Sequence, residues 1–214
     1  MTEGPFFVEE MLERVDLISG EDKNVTSGTP LEITLGVFSV DGMACMPLSG
    51  ATVDIWHADV DGVYSDVEAN FLQATATTGR KFLRAYQVTD EQGMVTFRTI
   101  YPGWYGTRTI HIHLKIRVGA QGSSGAYEWT SQMFFDEKIN DIEMERPPYN
   151  TRGQRNVRND TDQVYKNTGA GAGPDTSPLP AGRSAPGKLL TLACEPLSTG
   201  PGYSGSLKIG MRMA

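Results

Sequence analysis

From residue 31 onward the chain alternates apolar and polar positions with a period of two, the repeat of strands buried on one face. "LEITLGVFSV" (31–40) reads as a first strand ended by a turn at Asp41-Gly42. "ATVDIWHA" (51–58) reads as a second, stopped by the turn "DVDG" at 59–62. "KFLRAYQVTDEQGMVTFRTI" (81–100) alternates, breaks at the Gly-bearing "DEQG" and alternates again, which predicts a hairpin. "YPGWYG" (101–106) is a turn-rich loop leading into the strand "RTIHIHLKIRV" (108–118), and "YEWTSQMFF" (127–135) is a further strand. "KLLTLACEP" and "YSGSLKIGMRM" close the chain as a second hairpin. A short helix is compatible with "VEEMLERVDL" near the start, but helix signals are few. Strands at this spacing predict an all-β fold, a β-sandwich with long loops.

Between residues 136 and 187 the pattern dissolves into a long irregular excursion. Its second half, "NTGAGAGPDTSPLPAGRSAPG", is rich in Gly, Ala, Pro and Ser and is expected to be poorly ordered. No internal repeat or dividing linker stands out, so residues 1–214 read as a single domain, long enough for a full hydrophobic core.

Charge narrows the function classes. A net charge of −7 and the lack of a Lys/Arg cluster argue against a nucleic-acid partner, and no apolar run reaches transmembrane length. The acidic start "MTEGPFFVEEMLERV" has no signal-peptide pattern, which reads as cytoplasmic, or as secreted if a leader has been removed. Cys45 and Cys194 lack metal-knuckle spacing; two buried thiols are expected, with one disulfide as the alternative.

Candidate chemistry begins at "HIH". After Thr109, Ile110, Ile112, Leu114 and Ile116 share one face, while His111, His113, Lys115 and Arg117 share the other. The chain has only three histidines, and these two sit within reach of one atom; a metal is the natural candidate. An ordinary solvent-facing polar edge explains the same pair, so further ligands decide. His57, Asp59, Asp61, Tyr64, Tyr101 and Tyr105 lie on nearby segments. A phenolate is a hard anionic donor that suits Fe(III), so a Tyr/Tyr/His/His set selects ferric iron over zinc. Taken singly, each tyrosine equally fits a half-buried sandwich position.

"VDIWHADVDGVYSD", "FLRAYQVTDEQGMVTFRTIYPGWY" and "RTIHIH", flanked by "TEGPFF" and "TSQMFF", resemble the successive signature segments of the intradiol ring-cleavage dioxygenases. That family includes the catechol, hydroxyquinol and protocatechuate enzymes. The resemblance runs in collinear order over more than half the chain. It implies a mononuclear non-haem Fe(III) centre with Tyr64, Tyr105, His111 and His113 as ligands. It also implies a small aromatic diol and O2 as substrates, and a cis,cis-muconate-type diacid as product. By position Arg108 resembles the arginine that stabilises charge developing on the substrate ring, and Tyr105 a ligand that also accepts a substrate proton. Gln132 matches a polar residue close to the site. Gly4 and Pro5 match a stretch lining the substrate pocket in some members, and His57 reads as a supporting residue. In an ideal strand Arg108 would face away from the histidines, so a loop or bulge around "GTRT" is expected to turn it back. Catechol-type members carry an N-terminal helical domain. Here the motifs start at residue 2, so no such domain is expected; their mode of dimerisation is not implied, and a homo-oligomer stays open.

Two other readings compete. A zinc-dependent hydrolase or lyase would use His57, His111 and His113. A non-catalytic binding module would use Trp56, Trp104 and Trp129 as a surface platform. An anionic benzoate substrate would need a local cation, for which Arg80, Arg84 and Arg98 are candidates, although strand arginines more commonly serve in ion pairs.

Overall fold

A computed structural model of the chain describes residues 3–19, 21–119, 126–167, 179 and 181–212. Nine strands form among them: β1 Pro30–Asp41, β2 Ala44–Pro47, β3 Thr52–Trp56, β4 Arg84–Val88, β5 Met94–Ile100, β6 His111–Val118, β7 Tyr127–Phe134, β8 Ala193–Pro196 and β9 Tyr203–Met211. They make two sheets. In the first, β2 and β5 lie antiparallel to β1, β9 runs parallel to β1, and β8 pairs with β9. The second is antiparallel throughout, in the order β4-β3-β6-β7. Alternation does the packing: Leu31, Ile33, Leu35 and Phe97 of the first sheet share a core with Val53, Ile55, Ile112, Leu114 and Ile116 of the second. Each such side chain contributes about 1.5–3 kcal/mol on leaving water. The fold is an all-β sandwich.

The stretch 81–100 is not a hairpin. Its first half, β4, pairs with β3, and its second, β5, pairs with β1, so the turn at Asp90–Gly93 carries the chain from one sheet to the other. Asp90 Oδ1 accepts from the Gln92 and Met94 amides at 2.9 and 2.8 Å. Gly93, at φ 73°, packs so tightly that a Cβ would sit 2.4 Å from the Val37 carbonyl oxygen. The turn therefore presses on β1, which neither strand's own pattern reveals. The closing hairpin, β8 with β9, forms, but its first strand is shorter than expected: Lys188 and Leu189 lie in a helical turn and the strand is Ala193–Pro196.

"VEEMLERVDL" is extended, not helical. Its backbone takes hydrogen bonds from the edges it passes, with Tyr86 N donating to Leu12 O at 2.8 Å and Arg98 N to Val15 O at 2.8 Å. Bonds to waiting strand edges outcompete a short helix that has no neighbour to bury a face against. This N-terminal strap crosses the polar face of the second sheet. Buried Lys115 pairs with Glu3 and Glu128 and lies 4.0 Å from the Phe7 ring centre, and Arg117 reaches Glu9 at 3.2 Å and Asp54 at 2.6 Å.

Part of the stretch read as an irregular excursion is helical. Glu137–Met144 is an α-helix whose N-cap, Asp136, accepts from Lys138 N. Tyr149–Arg152 and Asn159–Thr161 are 3-10 turns, and Gln163–Lys166 and Pro186–Leu189 are single helical turns. In the Gly/Ala/Pro/Ser-rich half expected to be poorly ordered, residues 168–178 and 180 lie outside the described residues. The two cysteines are free, and Cys45 is exposed on β2, a position facing water and not the expected core.

Candidate metal centre

Both faces of β6 are covered, its even residues by the sandwich core and its odd ones by the strap and the loops around the site. His111 is 3% exposed and His113 not at all. Their rings meet with Nε2 atoms 3.2 Å apart. His111 Nδ1 lies 2.6 Å from the Thr109 carbonyl oxygen. That oxygen can only accept, so the proton sits on Nδ1 and Nε2 turns its lone pair to the centre. Burial first, and then the positive charge of Arg108, holds the His111 imidazole down to about 3; burial and His111 hold His113 well below its usual range. Both rings stay neutral, the form that binds metals.

Loops bring the tyrosines. The Tyr64 amide donates to Gln73 Oε1 at 2.7 Å, and the Tyr64 carbonyl accepts from Thr77 Oγ1 at 2.6 Å. Tyr105 precedes a turn closed by Arg108 N donating to Tyr105 O. The Tyr64 ring stands 5.5 Å from Tyr105 and 5.9 Å from His113, and Tyr105 stands 5.6 Å from His111. The Tyr64 hydroxyl is buried beside the Tyr105 hydroxyl without a well-formed hydrogen bond. Burial pushes both phenols up, Tyr64 far up, although the Arg108 cation works against it at each. Two imidazoles and two phenols thus converge in a buried pocket, with the Tyr64 hydroxyl making no well-formed hydrogen bond. A hard trivalent cation resolves that cost by holding the phenols as anions, so the donor set fits ferric iron.

Other candidates serve elsewhere. His57 Nδ1 donates to the Ala58 carbonyl at 2.8 Å, and Nε2 accepts from Thr99 Oγ1 at 2.7 Å, which leaves no nitrogen for a metal. Among the described residues no group of three or more His, Cys, Asp or Glu is placed to bind a metal, and the zinc reading falls with it. Asp59 caps the turn at 59–62 through the Asp61 and Val63 amides, Asp61 accepts from Asn24, and Tyr101 donates to Asn140 within the core. Trp56 is buried and stacked on His113 at 4.8 Å, while Trp104 and Trp129 are partly buried against the core, so the three form no surface platform.

The strap closes the site. Gly4, at φ 76°, lies so close that a Cβ would meet His113 Cε1 at 2.9 Å; Phe6 stacks on Tyr64 at 4.5 Å and stands edge-on to Tyr105. Pro5 is exposed. Beside Tyr105 opens a cavity of about 400 Å³, lined by residues that include Gln73, Thr75, Arg80 and Arg152.

Arg108 sits in a loop ahead of β6, as the parity argument required, and is engaged. Its Nε donates to Asp162 Oδ2 at 2.8 Å, and its Nη2 to Gln132 Oε1 at 2.5 Å and to Asp162 Oδ1 at 3.3 Å. Gln132, opposite His113 in the β6–β7 register, is fully buried and its Nε2 has no partner. Asp162 escaped the sequence reading; its only local signal is that of a helix N-cap before "QVYK". By sequence Arg84 is a candidate substrate cation. It instead donates to Phe6 O, Ser65 O and Ser65 Oγ, tying the strap to the Tyr64 loop. Arg80 pairs with Asp22 and Arg98 with Asp16.

The dioxygenase family model matches residues 2–142. A catechol 1,2-dioxygenase from Acinetobacter baylyi is 34% identical over 104 residues, covering 49% of this chain and 31% of that protein. A chlorocatechol 1,2-dioxygenase from a Pseudomonas species is 27% identical over 63% of this chain and 54% of its own. The chain therefore spans from just under a third to about half of the length of these curated relatives. An intradiol ring-cleavage dioxygenase from Tetranychus urticae superposes with a TM-score of 0.74 at 30% identity, over 98% of this chain and 91% of that one. The dioxygenase domain of a carbohydrate-binding fusion protein from Streptomyces superposes with a TM-score of 0.63 at 26% identity, over 100% and 97%. With the match running from the strap through both tyrosine loops, the histidine strand and the helix beyond β7, the chain belongs to the intradiol ring-cleavage dioxygenase family.

Proposed function

We propose that this chain is an Fe(III)-dependent dioxygenase that opens a catechol ring between its two hydroxyls, incorporates both atoms of O2 and yields a cis,cis-muconate-type diacid. The observation that carries the reading is the meeting of two imidazole Nε2 atoms with two buried phenols, one of them without a well-formed hydrogen bond. Tyr64, Tyr105, His111 and His113 would hold the ion. When bound, ferric iron keeps the phenols ionised and draws electron density from a chelated diol so that its ring reacts with dioxygen. Tyr105 Oη, held as an anion, accepts one of the protons the diol gives up. Arg108, fixed beside Tyr105, faces the negative charge that develops on the ring. Phe6 and Trp56 seal the ligands from water, and Gly4 keeps the strap close to His113 without a side chain in the way.

The substrate is proposed to be an uncharged catechol or hydroxyquinol. Arg80, Arg84 and Arg98 are each bonded within the protein, which disfavours them as partners for a benzoate carboxylate. The test is elemental analysis with a visible spectrum, followed by oxygen uptake and diacid formation on catechol, hydroxyquinol and protocatechuate. Stoichiometric iron, a phenolate charge-transfer band and cleavage of the neutral diols are expected. An active preparation with zinc and no iron overturns the metal assignment, and preference for protocatechuate overturns the substrate class.

A further inference from the structure

We infer that Asp162 is a positioning residue for ring cleavage, the carboxylate that aims the Arg108 guanidinium. The inference rests on the reading above.

Asp162 lies outside the residues the family model matches, in the stretch that looked structureless in sequence. It has no exposure to solvent, and Arg108 is 6% exposed. Four donors converge on its two oxygens. Oδ2 accepts from Arg108 Nε at 2.8 Å and from the Thr109 amide at 2.9 Å, and Oδ1 accepts from the Tyr165 amide at 2.8 Å and from Arg108 Nη2 at 3.3 Å. Such a set demands an acceptor-only group at both oxygens, which among buried side chains means an ionised carboxylate. Burial works to raise this carboxyl, but Arg108 and the amides prevail and leave it below the usual range.

The geometry explains why the cation points where it does. Arg108 stands in a turn, where chain geometry alone leaves a long side chain free to wander. Two bonds to Asp162 and one to Gln132 fix both the position and the plane of the guanidinium. The Thr109 bond holds the same carboxylate to the residue whose carbonyl orients His111. Asp162 need not touch the diol. It sets the place from which Arg108 acts, so its loss can cost at most what loss of the Arg108 charge itself costs, on the order of 10²–10³-fold.

The test is a double-mutant cycle on the iron-loaded full chain, comparing wild type, Asp162→Asn, Arg108→Ala and the double variant. Asp162→Asn turns one acceptor oxygen into a donor facing donors. It is expected to retain iron and the visible band, to leave KM for catechol nearly unchanged and to lower kcat, by up to the factor on the order of 10²–10³ expected for Arg108→Ala. The double variant is expected to turn over at the rate of Arg108→Ala alone. A purely structural role predicts independent, multiplying losses, and that result overturns the inference. Unchanged kcat in Asp162→Asn also overturns it, and so does loss of iron, which would make Asp162 a support of the metal centre. If Asp162→Asn yields no folded protein, Asp162→Ser, which leaves a hydroxyl and room for water, carries the same cycle. Wild type that cleaves no diol overturns the proposed function together with this inference, whereas an active wild type with additive losses overturns this inference alone.

Discussion

Sealing a phenol hydroxyl inside a protein without a well-formed hydrogen bond costs about 1–3 kcal/mol, and the buried Tyr64 hydroxyl, with only the Tyr105 hydroxyl beside it, makes none. Tyr64→Phe should therefore leave the metal-free protein at least as stable as wild type. It should also weaken iron retention and shift the charge-transfer band. Calorimetry of the metal-free form and iron titration read the two effects separately; a full wild-type spectrum in the variant rules Tyr64 out as a ligand. Arg108→Ala is expected to keep the iron, the colour and the spectral response to catechol, while kcat falls on the order of 10²–10³-fold. Near-normal turnover sinks the role given to Arg108. At this scale the histidine pair and the tyrosine loops were legible because their chemistry is written within short segments. Asp162 was not, because an ion pair joining residues 54 positions apart leaves no mark on either segment.

Period-two alternation tells which side of a strand is buried, and it marked every strand but β2, whose four residues are all exposed and carry no alternation. It is silent about which strand lies alongside, and so 81–100 read as a hairpin although its halves belong to different sheets. It is equally silent about what covers a polar face. On β3 that face includes Asp54, against which Arg117, Lys115, Glu9 and Glu128 are gathered. Burial pushes Asp54 up to about 6, and the two cations only partly offset it. With its folded pKa above the unfolded value, the native state holds the extra proton between about pH 4 and 6, so this group's contribution to stability falls as pH rises through that window. Asp54→Asn removes the dependence. Thermal denaturation should show the variant gaining on wild type as pH rises from about 4 to 7; a difference that is flat or reversed contradicts the burial of an ionising carboxyl there.

Across the whole molecule the candidate centre lies between layers that come from distant parts of the chain: the strap, the Tyr64 and Tyr105 loops, the start of β6 and the helical stretch after β7. The fold class was legible in the sequence; the layering was not, since the strap looked helical and the helical stretch looked shapeless. Arg84 joins two of these layers, and no carboxylate lies within ion-pair distance of it among the described residues. Arg84→Met should free the strap, raising amide hydrogen exchange over residues 3–17 and lowering iron content together. Exchange unchanged in the strap contradicts that account.

The parallel pairing of β1 with β9 sets the order in which such a chain can be finished during synthesis. As the chain leaves the ribosome, β1 soon meets β2 and β5, which pair with residues 38–41 and 30–36 along the same edge. Its opposite edge waits for residues 203–211. Throughout that interval a long apolar strand presents unpaired backbone groups to any passing neighbour. Closing the sheet so late leaves that edge open to self-association until residues 203–211 arrive, so β9 matters to the chain far from the tyrosines and histidines.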